Sequence, residues 1–205
     1  MGMTCTLRRA SAAECERLRA EPETVEEFLY PEGAAPPVVE VREKGLLGWI
    51  LRLMPVKVTQ VDPSWVPPEH PGAGDDSQLD IDKAWHGLHF IFTGAASEGE
   101  PPGCFLVNGG EEIGDEDDDD RPRLLDPKQV RQFSDFLTSL SDDEFTRRYD
   151  AERMTALEIY PEVIWKRDAG SQIPPIDYLR SAFHDLRAFV ATAADRHDAI
   201  VVDVS

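Results

Sequence analysis

Residues 79–94 read LDIDKAWHGLHFIFTG and give the clearest helix signal in the chain. Apolar side chains recur there at the three- and four-residue spacing of a helix. In the central part of the stretch only His86 and His89 carry polar side chains. Because a helix that is apolar almost all round is a buried one, we expect one central buried helix at 80–94.

The elements on either side of this helix indicate the fold class. Short apolar or β-branched runs predict strands at the start, in the middle and at the end of the chain, and helix-start signals lie between them. Such a mixture favours a compact layered α/β fold, with a mixed sheet and helices packed around it. The predicted strands are 3–7, 104–107, 124–125 and 199–204, and the clearest helix starts are Ser11, Asp126-Pro127, Ser141 and Pro174-Pro175.

The length of 205 residues predicts a single domain spanning 1–205. Residues 31–78 differ from the rest because they contain eight prolines, a density that is incompatible with long regular elements. We interpret 31–78 as a proline-rich insertion in this domain.

Charge restricts the classes of partner. The chain has 40 acidic and 21 basic residues and a formal net charge of −19. This charge repels nucleic acid and anionic lipid, whereas it favours a basic protein partner. No apolar run is long enough to span a membrane or to form a signal peptide, and three unpaired-looking cysteines suit a reducing compartment. We therefore expect a cytoplasmic protein that binds neither nucleic acid nor membrane.

The negative charge is concentrated in one segment. Residues 98–120 contain ten carboxylates and no lysine or arginine. The run lacks the glycine and the final glutamate of an EF-hand loop, so it does not predict a calcium site. Three interpretations are open: a charge run that only keeps a loop solvated, weak and unspecific cation binding, and a partner-binding surface. The partner-binding residues are then the densest part of the run, Asp115, Glu116, Asp117, Asp118, Asp119 and Asp120.

The histidine pair has two interpretations. Histidines three positions apart can share a metal ion, and Asp82, one turn before His86, could join them. The spacing is not that of the H-E-x-x-H zinc motif. Two histidines on an apolar helix are more often core residues bonded to backbone or carboxylate, and we expect neither a metal nor another cofactor.

A second group of residues predicts a cleft for a small ligand. The turn from Gly109 to Glu112 follows an apolar run, and it lacks the glycine pattern of a phosphate-binding loop. No nucleophile elbow of the form G-x-S-x-G is present. If the turn lies near the central helix, the ligand-binding residues are Asp82, Trp85, His86, His89, Glu111, Glu112 and Tyr160.

Several motifs together resemble the YfbM-like family of bacterial proteins. They are Phe28-Leu29-Tyr30, the string from Leu79 to Phe90, the turn Gly109 to Gly114, Arg123-Leu124-Leu125, and Glu158-Ile159-Tyr160-Pro161. The resemblance covers 1–30 and 79–205 and implies a compact α/β fold. It implies no catalytic residues, and it suggests an accessory or immunity-like role.

Two functional hypotheses follow from these observations. The first, which the charge favours, is a non-enzymatic binding or accessory module that meets a basic protein. The alternative is an enzyme or small-ligand-binding protein that uses a cleft near Trp85, His86, His89 and the turn from Gly109 to Glu112. The two differ in whether the histidines and glutamates share one concave site.

Overall fold

A five-stranded sheet lies at the centre of the computed structural model, which describes residues 3–31, 38–40, 59–61, 76–115, 121–165 and 173–205. Its strands are β1 (Cys5–Ala10), β4 (Gln78–Asp80), β5 (Glu111–Glu112), β6 (Arg123–Leu125) and β7 (Ala199–Val204). They lie in the order β4-β1-β7-β6-β5, and every pairing is antiparallel. The predicted α/β class is confirmed, although the sequence suggested a mixed sheet.

The centre of the sheet combines the two ends of the described chain. Strand β1 pairs with β7 along its whole length, from Cys5 opposite Val204 to Ala10 opposite Ala199. The β-branched run of β7 suits a strand that is buried on both faces. The prediction of a final strand at 199–204 is confirmed, whereas the first strand begins two residues later than predicted and continues to Ala10.

Eight α-helices and one 3-10 turn are found in the described residues. Three helices account for most of the main core, namely α3 (Ala84–Thr93), α4 (Pro127–Ser139) and α8 (Pro175–Arg196). The others are α1 (Ala12–Ala20), α2 (Val25–Leu29), α5 (Asp142–Arg148), α6 (Ala151–Ala156) and α7 (Glu162–Trp165), with the 3-10 turn at Pro22–Thr24. The predicted helix starts at Ser11, Asp126 and Ser141 are confirmed, since each side chain accepts a hydrogen bond from the first turn.

The pleat of the sheet separates two cores. Alternate residues of β7 face opposite sides, so Ile200 and Val202 join the core under α3, α4 and α8, and Ala199 and Val201 join the core under α1 and α2. The domain therefore has three layers, with helices on both faces of the sheet, as a layered α/β fold requires.

Helix α3 is central and buried, as predicted, but it is shorter than 80–94. Residues 78–80 are extended because they pair with β1, and Asp82 has a φ of 46°, outside the helical region. The helix begins at Ala84, and it ends where Gly94 adopts a φ of 76°, the usual left-handed end of a helix. Neither aspartate caps the helix, because Asp80 Oδ1 instead accepts a hydrogen bond from the backbone of Asp82.

The strand predicted at 104–107 is wrong. These residues form successive turns, in which the backbone N–H groups of Val107 and Asn108 both donate to the carbonyl of Cys104. The run is apolar because Cys104, Phe105 and Leu106 are buried in the main core, not because the segment belongs to the sheet. Burial alone produces the same apolar pattern in either conformation.

Part of the predicted insertion is visible. Strands β2 (Val38–Glu40) and β3 (Thr59–Val61) form a separate antiparallel pair. Residues 32–37, 41–58 and 62–75 lie outside the described residues, so the insertion at 31–78 stays a prediction. In the described part of the chain, no helix is long and apolar enough to cross a membrane.

Candidate functional site

His86 ties helix α3 to two loops. The backbone N–H of Tyr160 donates to His86 Nδ1 at 2.9 Å, so the ring proton lies on Nε2, which donates to the carbonyl of Ala96 at 2.7 Å. The imidazole also stacks on Trp85, with ring centroids 4.7 Å apart. Burial lowers the pKa of His86, which favours this neutral tautomer.

His89 lies deeper in the same helix and is fully buried. Its Nε2 lies 3.1 Å from the carbonyl oxygen of Glu98, and its Nδ1 has no hydrogen-bond partner among the described residues. Burial lowers the pKa of His89 to about 4, so the ring is neutral at physiological pH. The two histidines therefore hold the backbone of the segment that follows α3.

The remaining predicted ligand-binding residues lie in different places. The pleat directs Glu111 and Glu112 to opposite faces of the sheet, since Glu111 pairs with Leu124 and Glu112 with Arg123 in β6. Glu111 accepts a hydrogen bond of 2.8 Å from Arg19 of α1. Asp82 contacts the side chains of Lys83 and Tyr178, and the ring of Tyr160 stacks 6.1 Å from that of Trp85.

A cleft of about 420 Å³ lies beside the α3 face of the sheet. We call it the Trp85 cleft. Its polar lining comes from Trp85, the turn Asn108–Gly110, Glu112, Arg121 and Arg123, and its apolar lining includes Val107 and Val204. The structure thus brings Trp85 together with the predicted turn and Glu112, while His86, His89, Glu111, Asp82 and Tyr160 do not line the cleft.

Two hydrogen-bond donors in the wall of the Trp85 cleft lack partners. Trp85 is 7 % exposed, and neither its Nε1–H nor one arm of Arg123, Nη1, has a partner among the described residues. The other arm of Arg123, Nη2, donates to the carbonyl of Leu106 at 2.8 Å. Burial lowers the pKa of Arg123, but a guanidinium remains charged in proteins.

A larger groove of about 580 Å³ lies against the α2 face of the sheet. We call it the acidic groove. Four carboxylates line it, and no lysine or arginine is found among its described lining residues. Val25 and Leu29 supply apolar lining from α2. The four acidic residues are Glu23, Glu26, Asp115 and Asp203.

Asp203 is the buried carboxylate of the acidic groove, at 4 % exposure. The Tyr30 hydroxyl donates to Asp203 Oδ2 at 2.5 Å and lies 3.3 Å from the hydroxyl of Ser205. Burial, with the hydrogen bond to Asp203, raises the pKa of Tyr30 to about 12. The phenol therefore stays protonated and keeps donating over the physiological range.

The acidic segment is only partly described. Glu111 and Glu112 pair with Arg19 and Arg121, which both lie outside residues 98–120. Asp115 lines the acidic groove, whereas Glu116, Asp117, Asp118, Asp119 and Asp120 lie outside the described residues. The role of this run in partner binding stays a prediction.

The described residues contain no group of three His, Cys, Asp or Glu side chains that could hold a metal ion. The three cysteines are free and buried, and burial raises the pKa of each thiol. A buried thiol with a raised pKa is a poor nucleophile because the reactive thiolate is disfavoured.

Sequence reasoning missed the two residues that matter most in these cavities. Arg123 precedes Leu124-Leu125, and Asp203 interrupts the run AIVVDV at 199–204. Asp203 stands inside a buried strand, and Arg123 opens a strand whose next two residues are buried. A charge at such a position is costly unless it is paired or functional. A charged residue beside apolar strand residues was therefore the feature of the sequence that could have pointed to Arg123 and Asp203.

Architecture and site together define a class: a three-layer α/β protein with a central antiparallel sheet and a separate cavity on each face. Within this class, the chain matches the family model described as a domain of unknown function, DUF1877, over residues 1–202. The chain therefore belongs to the DUF1877 family. The resemblance to YfbM-like proteins seen in the sequence is confirmed.

A solved structure shows the same fold. The crystal structure of YfbM from Escherichia coli, a protein of unknown function, matches with a TM-score of 0.59 at 15 % sequence identity. The match covers 98 % of this chain and 99 % of that chain. No curated protein matches the chain. At this identity the likeness concerns the fold alone.

Proposed function

We propose that this chain is a non-enzymatic, cytoplasmic binding protein that meets a basic protein partner at the acidic groove. The observation that carries the proposal is the lining of the groove: Glu23, Glu26, Asp115 and Asp203 without a lysine or arginine among the described lining residues. Three free cysteines suit a reducing compartment. An accessory role, of which an immunity protein is one example, fits this kind of recognition.

The groove fits the side chain of a lysine or arginine. Such side chains bury an aliphatic stem along apolar surface and keep the charge at a polar end. Val25 and Leu29 offer apolar surface for the stem, and Asp203, held by Tyr30, offers a fixed carboxylate for the charge. A carboxylate that is already oriented costs less to engage than one that must be ordered on binding.

The charge of the whole chain supports the same partner. A net charge of −19 produces a field that attracts a basic surface before contact. Charges at the rim of an interface act mainly on the association rate, and salt screens their effect. Association with a basic partner should therefore be fast and should slow as salt rises.

The test uses a short synthetic peptide of alternating arginine and serine as the probe. The groove variant carries Glu23→Gln and Glu26→Gln. The matched control carries Asp135→Asn and Glu152→Gln, two exposed carboxylates of α4 and α6 that do not line the groove, so the net charge changes equally. Association and dissociation rates are measured by surface plasmon resonance at two salt concentrations.

We expect the groove variant to associate roughly fivefold more slowly than the control at low salt, because it loses two aligned carboxylates. Equal rates for the two variants would mean that only total charge matters and would overturn the groove as the site. Binding that does not change with salt would overturn the electrostatic proposal. A third variant, with Asp117 to Asp120 changed to Asn, tests the acidic run predicted from sequence.

A further inference from the structure

We infer that the Trp85 cleft is a second binding site, which takes the carboxylate of a small organic acid. The site lies on the opposite face of the sheet from the acidic groove, and its lining has the opposite charge balance. Among its described lining residues, Arg121 and Arg123 contribute two cations, and Glu112 contributes one anion. The site therefore differs in chemistry from the acidic groove, and Ser205 at the end of β7 lines both cavities.

The unpaired donors carry this inference. Nearly all buried polar groups in proteins have a hydrogen-bond partner, so each exception calls for an explanation. Trp85 Nε1–H and Arg123 Nη1 are both buried, both lack a partner among the described residues, and belong to side chains that line one cleft. A ligand with acceptor atoms bound in this cleft would offer a partner to such donors.

The chemistry of the donors selects the acceptor. An indole N–H and a guanidinium can only donate, so the ligand must offer oxygen acceptors. A carboxylate has two such oxygens and forms charge-assisted hydrogen bonds with arginine. Arg121 is paired with Glu112, and Nη2 of Arg123 is bound to Leu106, so Nη1 of Arg123 is the arm that has no partner among the described residues and can meet a negative charge. A dianion such as phosphate would be repelled by Glu112, and the positive charge of Arg123 would not neutralise both of its negative charges.

The remainder of the cleft sets the size of the ligand. A volume of about 420 Å³ is within the range of small-molecule sites. Val107 and Val204 provide apolar lining beside the donors. The site therefore fits a monocarboxylate with a short apolar chain, such as a medium-chain fatty acid.

The experiment titrates hexanoate, hexanamide and inorganic phosphate into the ¹⁵N-labelled protein and follows the indole N–H signals by NMR. The Trp85 signal is assigned by its loss in Trp85→Phe, which removes the donor and keeps an aromatic ring. Trp165 is an internal reference, because its Nε1–H already donates to the carbonyl of Ile159 at 2.6 Å. Hexanamide keeps the shape of hexanoate and removes its charge.

We expect hexanoate to shift the Trp85 indole signal downfield, to leave Trp165 in place and to bind at least about tenfold more tightly than hexanamide. Arg123→Lys should weaken hexanoate binding, whereas Arg196→Gln, an exposed arginine of α8 outside the cleft, should not. If a variant fails to fold, the three-ligand comparison on the unmodified protein still decides. Equal binding of hexanoate and hexanamide, stronger binding of phosphate, or an unchanged Trp85 signal would overturn the inference.

Discussion

The hydroxyl of Tyr30 donates a 2.5 Å hydrogen bond to Asp203 Oδ2 and so joins the end of α2 to the central strand β7. Asp203 lies on the α2 face of the sheet, where its neighbours in β7 are apolar. Removing the hydroxyl that donates to a buried carboxylate leaves that charge without a hydrogen bond, which costs more than the bond itself is worth. Tyr30 is therefore both part of the acidic groove and a support for a buried carboxylate.

Tyr30→Phe should lower the free energy of unfolding by roughly 1–3 kcal/mol at pH 7, because Asp203 loses a donor and little packing is lost. Urea unfolding followed by circular dichroism measures the change. Tyr149→Phe is the matched control, since no hydrogen bond to the Tyr149 hydroxyl is found in the described structure, and it should change stability by less than about 0.5 kcal/mol. Equal effects of the two substitutions would show that the Tyr30 bond does not stabilise the fold.

The raised pKa of Tyr30 predicts a loss of stability in alkali. The folded chain holds this proton up to about pH 12, whereas an unfolded tyrosine releases it near pH 10. The unfolded state then binds fewer protons, so stability falls as pH rises from 10 to 12. Tyr178 has a raised pKa too, so the test compares the native chain with Tyr30→Phe. The native chain should lose stability more steeply, and parallel curves would contradict the prediction.

The lowered pKa of His89 predicts a loss of stability in acid. Its pKa is lowered to about 4 by burial, so stability is fully present above pH 6.5 and is lost as pH falls towards 4. For this fully buried ring the loss amounts to about 3 kcal/mol. His89→Gln should flatten the pH dependence of the unfolding free energy between pH 6.5 and 4, because it removes the buried ring that protonates only on unfolding. A slope that survives in His89→Gln would assign the effect to other groups.

Helix α3 packs closely against α8 at Gly87, where a side chain would meet Leu179. A Cβ at this position would lie 2.8 Å from Leu179 Cδ2 and 2.8 Å from the Trp165 ring. Replacing glycine by alanine stabilises a helix by about 1 kcal/mol through helix propensity. An extra methyl group in a tightly packed core destabilises the fold by roughly 1–3 kcal/mol. We expect Gly87→Ala to be destabilised in thermal unfolding.

Gly103→Ala is the control for Gly87→Ala. Its added Cβ would lie no closer than 3.4 Å to its neighbours, so the unfolding free energy should change by less than about 0.5 kcal/mol. A Gly87→Ala protein that melts above the native chain would show that the two helices are less tightly packed than the structure indicates.

The sequence predicted elements whose signal is local. The core stripe of α8 includes Leu179, Phe183 and Leu186, which are all fully buried, and the caps at Ser11 and Asp126 are formed as expected. The predictions were wrong where contacts with distant parts of the chain determine the conformation. Residues 104–107 are apolar because α3 and α4 cover them, and residues 78–80 join the sheet because β1 lies beside them.

The candidate sites depend even more on long-range relationships. The turn at Gly109 and the side chain of Trp85 were recognised from sequence, and the structure places both in one cleft. The charge of Arg123 beside two apolar residues was a local signal, but nothing local shows that its side chain faces the same cleft as Trp85. Tyr30 and Asp203 are 173 positions apart, so their contact could not be read from spacing.

The pairing of β1 with β7 has a consequence for how the protein is made. Thr4 and Ser205 are 201 positions apart and are bonded in the same ladder. During translation, β1 leaves the ribosome long before β7, its central neighbour in the sheet. The sheet therefore cannot close until β7 has been synthesised, and a nascent chain carries β1 without that neighbour until then. Because unpaired strand edges promote aggregation, a chain stopped before Ala199 should be recognised by chaperones or degraded rather than accumulate as a folded fragment.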